Sequence, residues 1–281
     1  MQHYHYNGSL TVSEYNDLLT AYKQSPSLTT NMNILQVNPD YYTLWNDRRQ
    51  MIPKDHDFVN ELKWLIQIIS VQPKSYWAWH HRLWCLSKVD LDKVWQKEME
   101  LINMYLTKDC RNFHVWDYRK RILANRHGDF WKNSHVLMEE LKFTLLKITD
   151  NFSNYSAWHW RSKVLQALKT LNLDIVIHLI NDVDLLTTCF YSDPNDQSAW
   201  FYYNWFIDFC KHYHNDNLAS ALQQQKGQLE ELLEMEPNCK WIYMGLFKLQ
   251  QYLGTTANLM PLKLKFQELD PLKGDYIMEY L

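Results

Sequence analysis

The sequence predicts an all-α fold: a right-handed α-solenoid of helical hairpin repeats, crescent-shaped. Three observations predict it. Glycine and proline are scarce, 6 and 8 in 281 residues, too few to punctuate many short strands and tight turns. Large aromatics are abundant, with 13 Trp, 18 Tyr and 11 Phe, which suits long helices packed through aromatic wedges. One motif also recurs along the chain, with steps of 34 to 42 residues between its Trp positions, the mark of a repeat architecture.

The motif is a Pro or its substitute, an aromatic three residues later, a Trp three after that and an Arg three further on. It reads Pro39, Tyr42, Trp45, Arg48, and returns as Pro73, Tyr76, Trp79, Arg82. The third copy has Cys110 for Pro, then Phe113, Trp116, Arg119; the fourth has Phe152 for Pro, then Tyr155, Trp158, Arg161. In the fifth, Pro194, Gln197 and Trp200 are followed by Tyr203 where Arg stood, and a degenerate sixth from Pro237 puts Tyr243 at the Trp position. A residue before proline is pushed out of the α region, and proline suits the first helical position. The Asn-Pro, Gln-Pro, Asp-Pro and Glu-Pro pairs therefore predict helix starts. The aromatic, Trp and Arg are expected along one side of that helix, the aromatic as a packing residue, the Trp wedged into the neighbouring hairpin. The Arg is expected to lie over a ring or tie down the next helix.

Apolar-periodic stretches at 58–69, 94–105, 136–148 and 175–186 supply the other helix of each hairpin. The variable step and the W-x-x-R core differ from the tetratricopeptide repeat and its steady period. Ahead of the first copy, one helix is expected at Val12–Gln24, then a Ser/Thr/Asn-rich joint. The polar, Gln-rich piece at 211–227 is expected to be a long connection. Residues 1–281 are expected to form a single repeat domain.

Composition excludes several functions. A net charge of −3 argues against a generic nucleic-acid binder. The five cysteines are odd in number and show no C-x-x-C spacing, which indicates neither a disulfide framework nor a thiolate zinc site, and fits a reducing compartment. No apolar run is long enough to span a bilayer, and the N-terminus lacks a signal-peptide layout. A cytoplasmic protein without stable membrane insertion is expected. His80, His81 and His159 fall inside the repeat unit, where other copies carry Asn, Asp, Tyr or Trp, so they suggest no shared metal geometry. No Gly-rich phosphate loop, G-x-S-x-G elbow or H-E-x-x-H is present, so catalysis by this chain alone is not expected.

The P-x-x-Y-x-x-W-x-x-R unit resembles the repeat of protein prenyltransferase alpha subunits, over roughly residue 38 to the C-terminus. The segments around Asn151-Phe152-Ser153-Asn154-Tyr155, Asp193-Pro194-Asn195-Asp196-Gln197 and Asn38-Pro39-Asp40-Tyr41-Tyr42 are most similar to the Rab geranylgeranyl type, as is the tail from Leu269 to Tyr276. The resemblance implies a crescent wrapped around a beta subunit, an α/α barrel that carries the catalytic zinc and most of the lipid pocket. The heterodimer of that family transfers geranylgeranyl from geranylgeranyl diphosphate to C-terminal cysteines of Rab GTPases presented by an escort protein. It implies no metal or cofactor bound by this chain. The alpha subunit shared by farnesyl- and type I geranylgeranyltransferases, and a non-catalytic helical scaffold, are the competing readings. Neither an immunoglobulin-like insert nor leucine-rich repeats are expected here, as in a minimal, fungal-like form.

The resemblance also implies a site. Lys74, in Gln72-Pro73-Lys74-Ser75-Tyr76, matches the family segment whose lysine reaches the isoprenoid diphosphate, where a cation offsets charge on the leaving group. On spacing alone it is a solvated lysine near a helix start. Tyr76 and His114, expected to act with Lys74 as catalytic groups, and Arg111 and Asn112, expected to meet the diphosphate or peptide, match positions at the active-site mouth, and a Phe stands at 113 where farnesyl-type subunits usually carry Tyr. Trp45, Arg48, Trp79, Arg82, Trp116, Arg119, Trp158, Arg161 and Trp200 are read as repeat core and interface. The resemblance assigns no role to His3 and His5, although an N-terminal histidine reaches the zinc in some relatives.

Overall fold

The structure is a computed structural model that describes residues 10–255 and 259–271; His3, His5 and the tail beyond Pro271 lie outside them. Among the described residues there are fourteen α-helices and no strand. The chain divides into two compact units, Met1–Gly128 and Asp129–Leu281. The first holds α1 (Val12–Gln24), α2 (Leu28–Val37), α3 (Tyr42–Met51), α4 (Phe58–Val71), α5 (Tyr76–Leu86), α6 (Leu91–Lys108) and α7 (Phe113–His127). The second holds a 3-10 turn (Phe130–Lys132), α8 (Ser134–Asp150), α9 (Tyr155–Thr170), α10 (Val176–Ser192), α11 (Gln197–Cys210), α12 (Asp216–Met235), α13 (Lys240–Tyr252) and α14 (Leu259–Leu269). Within each unit the fold is a stack of helical hairpins. The Trp-bearing helices lie side by side, α3–α5–α7 in the first unit and α9–α11–α13 in the second.

The proline does not start a helix; it ends one. Asn38, Gln72, Asp193 and Glu236 are C-caps of the preceding helix, with ψ between 62° and 95°, the conformation a following proline enforces. The next helix opens two residues later on a separate cap, such as Ser75, Asn112, Asn154 or Asp196, whose side chain accepts a helix N–H. The proline position instead supplies an acceptor. The indole N–H of the Trp six residues on donates to its carbonyl in five copies: Trp45 to Pro39, Trp79 to Pro73, Trp116 to Cys110, Trp158 to Phe152 and Trp200 to Pro194, at 2.7–2.9 Å. The worn sixth copy keeps the bond, with the Tyr243 hydroxyl donating to Pro237. A carbonyl acceptor needs no particular side chain, which is why Cys110 and Phe152 can replace proline.

Two connections expected from composition are helical. The Ser/Thr/Asn-rich joint contains α2, capped by Ser27, with Ile34 and Leu35 fully buried. The Gln-rich piece is mostly the first half of α12, which Asn215 caps through the Asn217 and Leu218 amides. Its buried Leu218, Leu222, Leu229 and Leu232 recur at helical spacing. Glutamine is a good helix former, and Gln225 on the same face is buried and bonded to Tyr203 and the Val183 carbonyl.

A buried ladder of acids and their donors joins successive repeats. Arg48 grips Glu61 through Nε and Nη2 at 2.5 and 2.7 Å; Arg82 does the same to Glu98, and Arg161 to Asp182. Arg48 also lies 4.1 Å over Trp64. Glu61, Glu98 and Asp182 each receive a further donor from the residue two past the next Trp, namely His81, Tyr118 and Tyr202, and Glu140 accepts the Trp160 indole N–H from the same position. All four of these pairs are 20 residues apart. The same arginines donate Nη1 to a carbonyl 20 residues back, at Leu28, Leu62 and Leu141. The distance from Arg to its own acid varies instead, from 13 to 21 residues. The repeat is thus a fixed brick spanning the proline turn, and the changing period arises inside the hairpin. In the fifth copy a neutral pair, Tyr203 and Gln225, replaces the charged one.

Gly245 sits where Trp200 comes closest to α13. A Cβ there falls 2.5 Å from Trp200 Cζ3, and Trp200 is fully buried with its ring stacked 3.6 Å from Phe190. Helix propensity favours Gly245→Ala by up to about 1 kcal/mol, but overpacking costs about 1–3 kcal/mol. A net loss of roughly 1–2 kcal/mol is expected from thermal melts; a raised melting temperature contradicts it.

Candidate functional site

The residues singled out from the resemblance gather in the first unit, on two adjacent proline-type turns and the helix starts behind them. Lys74 lies on the turn before α5. Its Nζ is 3.1 Å from Asp109 Oδ2, and its side chain is 69% exposed. Asp109 closes α6, where its amide donates to the Tyr105 carbonyl, and its Oδ1 accepts the Arg111 amide. Burial pushes the Asp109 carboxyl up, but hydrogen bonds from Lys74 and the Arg111 amide outweigh it and hold the group below its ordinary value. Arg111 is exposed beside it.

Asn112 is buried and caps α7 through the His114 and Val115 amides. Its Nδ2 also donates to Pro73 O at 3.1 Å, which clamps the second turn to the first. Its role in this structure is to hold the turns in register. Tyr76 opens α5 with 48% of its surface exposed. The Tyr76 and His114 rings are 6.3 Å apart, and Tyr76 stacks over His80 at 5.7 Å. These side chains line a shallow cleft with Leu83, Asp117 and Arg121. Burial lowers the His114 pKa, with Asp117 and Asp40 opposing and Lys74 adding to the fall. His80 is lowered by burial, then by Arg49 and Arg121. Arg49 donates to His80 Nδ1 at 2.8 Å, so that nitrogen carries no proton and the neutral ring keeps its hydrogen on Nε2.

The first-turn aromatic of each repeat does not pack into the core. Tyr42, Tyr76, Phe113 and Tyr155 are 48–67% exposed, whereas the Trp residues of the motif are nearly or fully buried. In the first unit Tyr42 meets Trp77 at 5.7 Å; in the second Tyr155 meets Phe201 at 6.4 Å. In the first unit three successive repeats, at Tyr42, Tyr76 and Phe113, thus expose an aromatic at the same place. Arg48, Arg82, Arg119 and Arg161 are instead buried at 2–4% exposure, and three of them serve the acid ladder.

One tight group of metal-type side chains occurs among the described residues: Glu61, His81 and Cys85, with donor atoms within 4.8 Å of one another. It does not suit a cation. Both Glu61 oxygens are taken by the Arg48 guanidinium, His81 Nε2 is bonded to Glu61, and burial pushes the Cys85 thiol far up. No described helix is long and apolar enough to cross a membrane.

The model of the protein prenyltransferase alpha subunit repeat matches residues 58–89, 95–126 and 137–168. Each match covers a connecting helix and the Trp-bearing helix after it. The geranylgeranyl transferase type-2 subunit alpha of Dictyostelium discoideum is 32% identical over 256 residues, 84% of this chain and 79% of the relative. The chain belongs to the geranylgeranyl transferase type-2 alpha-subunit family. The Saccharomyces cerevisiae member is also 32% identical, over 75% of this chain and 65% of the relative. The Rattus norvegicus member is 39% identical over 193 residues, 62% of this chain. The chain spans only about a third of that mammalian relative's length, 32%. A chain from the structure of Candida albicans protein geranylgeranyltransferase-I complexed with GGPP has the same fold, with a TM-score of 0.68 and 18% identity over 95% of this chain and 89% of that one.

Proposed function

We propose that this chain is the alpha half of a heterodimeric type-2 geranylgeranyl transferase, working in the cytoplasm. The observation that carries the reading is the identity to relatives of that name across most of the chain. The partner is a prenyltransferase beta subunit, seated on the exposed first-turn aromatics. Zinc belongs in that partner, since the Glu61–His81–Cys85 group is filled by Arg48. The lipid donor is geranylgeranyl diphosphate, and the acceptors are C-terminal cysteines of Rab GTPases brought by an escort protein.

This chain's contribution to the chemistry is electrostatic. The exposed Lys74 ammonium faces the departing diphosphate and offsets the charge that develops there. Tyr76 and His114 line the mouth, with His114 held neutral at pH 7 by burial. The test is to produce the chain alone and with a beta subunit, then assay transfer from geranylgeranyl diphosphate to an escorted Rab. Activity only in the complex is expected. Full activity from the chain alone, or no complex with any prenyltransferase beta subunit, overturns the reading. Transfer to a free CaaX peptide without an escort points to the farnesyl or type I class instead. Lys74→Ala is expected to keep the complex and to slow turnover about tenfold, less than loss of a fully buried oxyanion donor. Unchanged turnover removes Lys74 from the site.

A further inference from the structure

Lys74 poses a positional problem. A lysine has a flexible four-carbon stem and no preferred geometry toward a phosphate, and this one is 69% exposed. Left free, its ammonium is spread over many rotamers. The structure shows one group that locates it, the Asp109 carboxylate at 3.1 Å. That carboxylate is itself fixed. Its other oxygen accepts the Arg111 amide at 3.2 Å, and its own amide caps α6 through Tyr105 O at 2.9 Å. The two turns that carry the pair are clamped by Asn112 Nδ2 on Pro73 O. Asp109 therefore stands on a rigid frame, and Lys74 hangs from it.

The strength of the pair also matters. Both partners are well exposed, 69% and 39%, so water screens their attraction and the pair is weak. A weak pair orients the ammonium without locking it. A diphosphate, with several negative charges, can take the ammonium over, whereas a buried bidentate pair such as Arg82–Glu98 could not yield. Arg111 on the same turn acts on Asp109, and Lys74 itself acts on the neutral His114 ring of α7, which Asp117 and Asp40 also influence.

We propose that Asp109 is the positioning residue for Lys74, holding its ammonium at the mouth and releasing it to the diphosphate as negative charge develops on the leaving group. The proposal rests on the role given to Lys74 above. It adds a residue that touches neither substrate nor lipid and acts only through Lys74.

The test uses the heterodimer and the Asp109→Asn variant. Asparagine keeps the oxygen that accepts the Arg111 amide, so the turn persists while the charge is removed. The expected result is a fall in kcat of about three- to tenfold with no rise in KM for geranylgeranyl diphosphate, since a repelling charge has also gone. Asp109→Glu is expected to restore most of kcat. On a Lys74→Ala background, Asp109→Asn is expected to cost nothing further, because residues that act through one group are not additive. An unchanged kcat in Asp109→Asn, or the same loss with and without Lys74, overturns the proposal. A wild-type complex that transfers no geranylgeranyl overturns the parent reading too; an active wild type with a silent Asp109→Asn overturns this inference alone.

Discussion

Arg161→Met is expected to destabilise the chain by about 3–5 kcal/mol, the cost of breaking a buried ion pair from one side. Arg161 and Asp182 are 2% and 0% exposed. The guanidinium donates Nε and Nη2 to the Asp182 carboxylate and Nη1 to Leu141 O and Thr144 Oγ1. Methionine fills similar volume but donates nothing. Asp182 is left with the Tyr202 hydroxyl at 2.7 Å, and the Leu141 carbonyl loses one of its two side-chain donors, keeping the Thr144 hydroxyl. A domain is typically stable by about 5–15 kcal/mol in all, so the variant should unfold at much lower urea, measured by tryptophan fluorescence. Adding Asp182→Leu removes the stranded charge, and the double variant should recover much of the loss. A single-variant loss below about 1 kcal/mol means the pair is not as desolvated as its geometry implies.

The ladder to which this pair belongs was only half legible in the sequence. The Trp and Arg positions stood out because both residue types recur at fixed offsets. The acids did not: Glu61, Glu98, Glu140 and Asp182 are the single buried carboxylates of their helices. Their second donors change identity from His to Tyr to Trp to Tyr. Only the constant 20-residue offset marks them, and that offset carries no fixed residue type. The first-turn aromatic failed for a geometric reason. At 100° per residue, positions i and i+6 stand about 120° apart around the helix, so Tyr76 and Arg82 cannot share a buried face. The Gln-rich segment reads as a connection by composition, yet the Leu218, Leu222, Leu229, Leu232 period makes it helical. At the site, Lys74 was legible from its segment. Its tether, Asp109, was not, because 35 residues separate them and only stacking of the two turns brings them together.

His81 makes the first unit sensitive to acid, and the sign follows from its surroundings. The ring is fully buried between Trp45 and Trp84, at 4.9 and 5.1 Å. Arg49 donates to its Nδ1 and its Nε2 meets Glu61, so the folded ring is neutral. The charged groups that face it are Arg48 and Arg49 on α3 and Glu61 on α4, with the Cys85 thiol beside it on α5. Burial lowers its pKa to about 4 from 6.5, against the pull of Glu61. The unfolded chain therefore takes up a proton near pH 6.5 that the folded chain refuses until about pH 4. The stability this group contributes is complete above pH 6.5 and is lost as pH falls through that window. Glu61 does not share the window. Burial raises its pKa, but the bonds from Arg48 and His81 hold it at about 2, so its contribution is lost only below its ordinary value of 4.5. Between pH 6.5 and 4.5 wild type should lose roughly 2 kcal/mol through His81. His80 and His114 are also depressed and add slope of the same sign, so the decisive measurement is a difference. His81→Tyr places at this position the residue found at Tyr118 and Tyr202, where a hydroxyl serves the acid 20 residues back without taking up a proton. His81→Gln keeps an N–H donor on a smaller side chain. Urea unfolding at pH 7 and pH 5 should show either variant losing less stability than wild type; equal losses would place the acid sensitivity elsewhere.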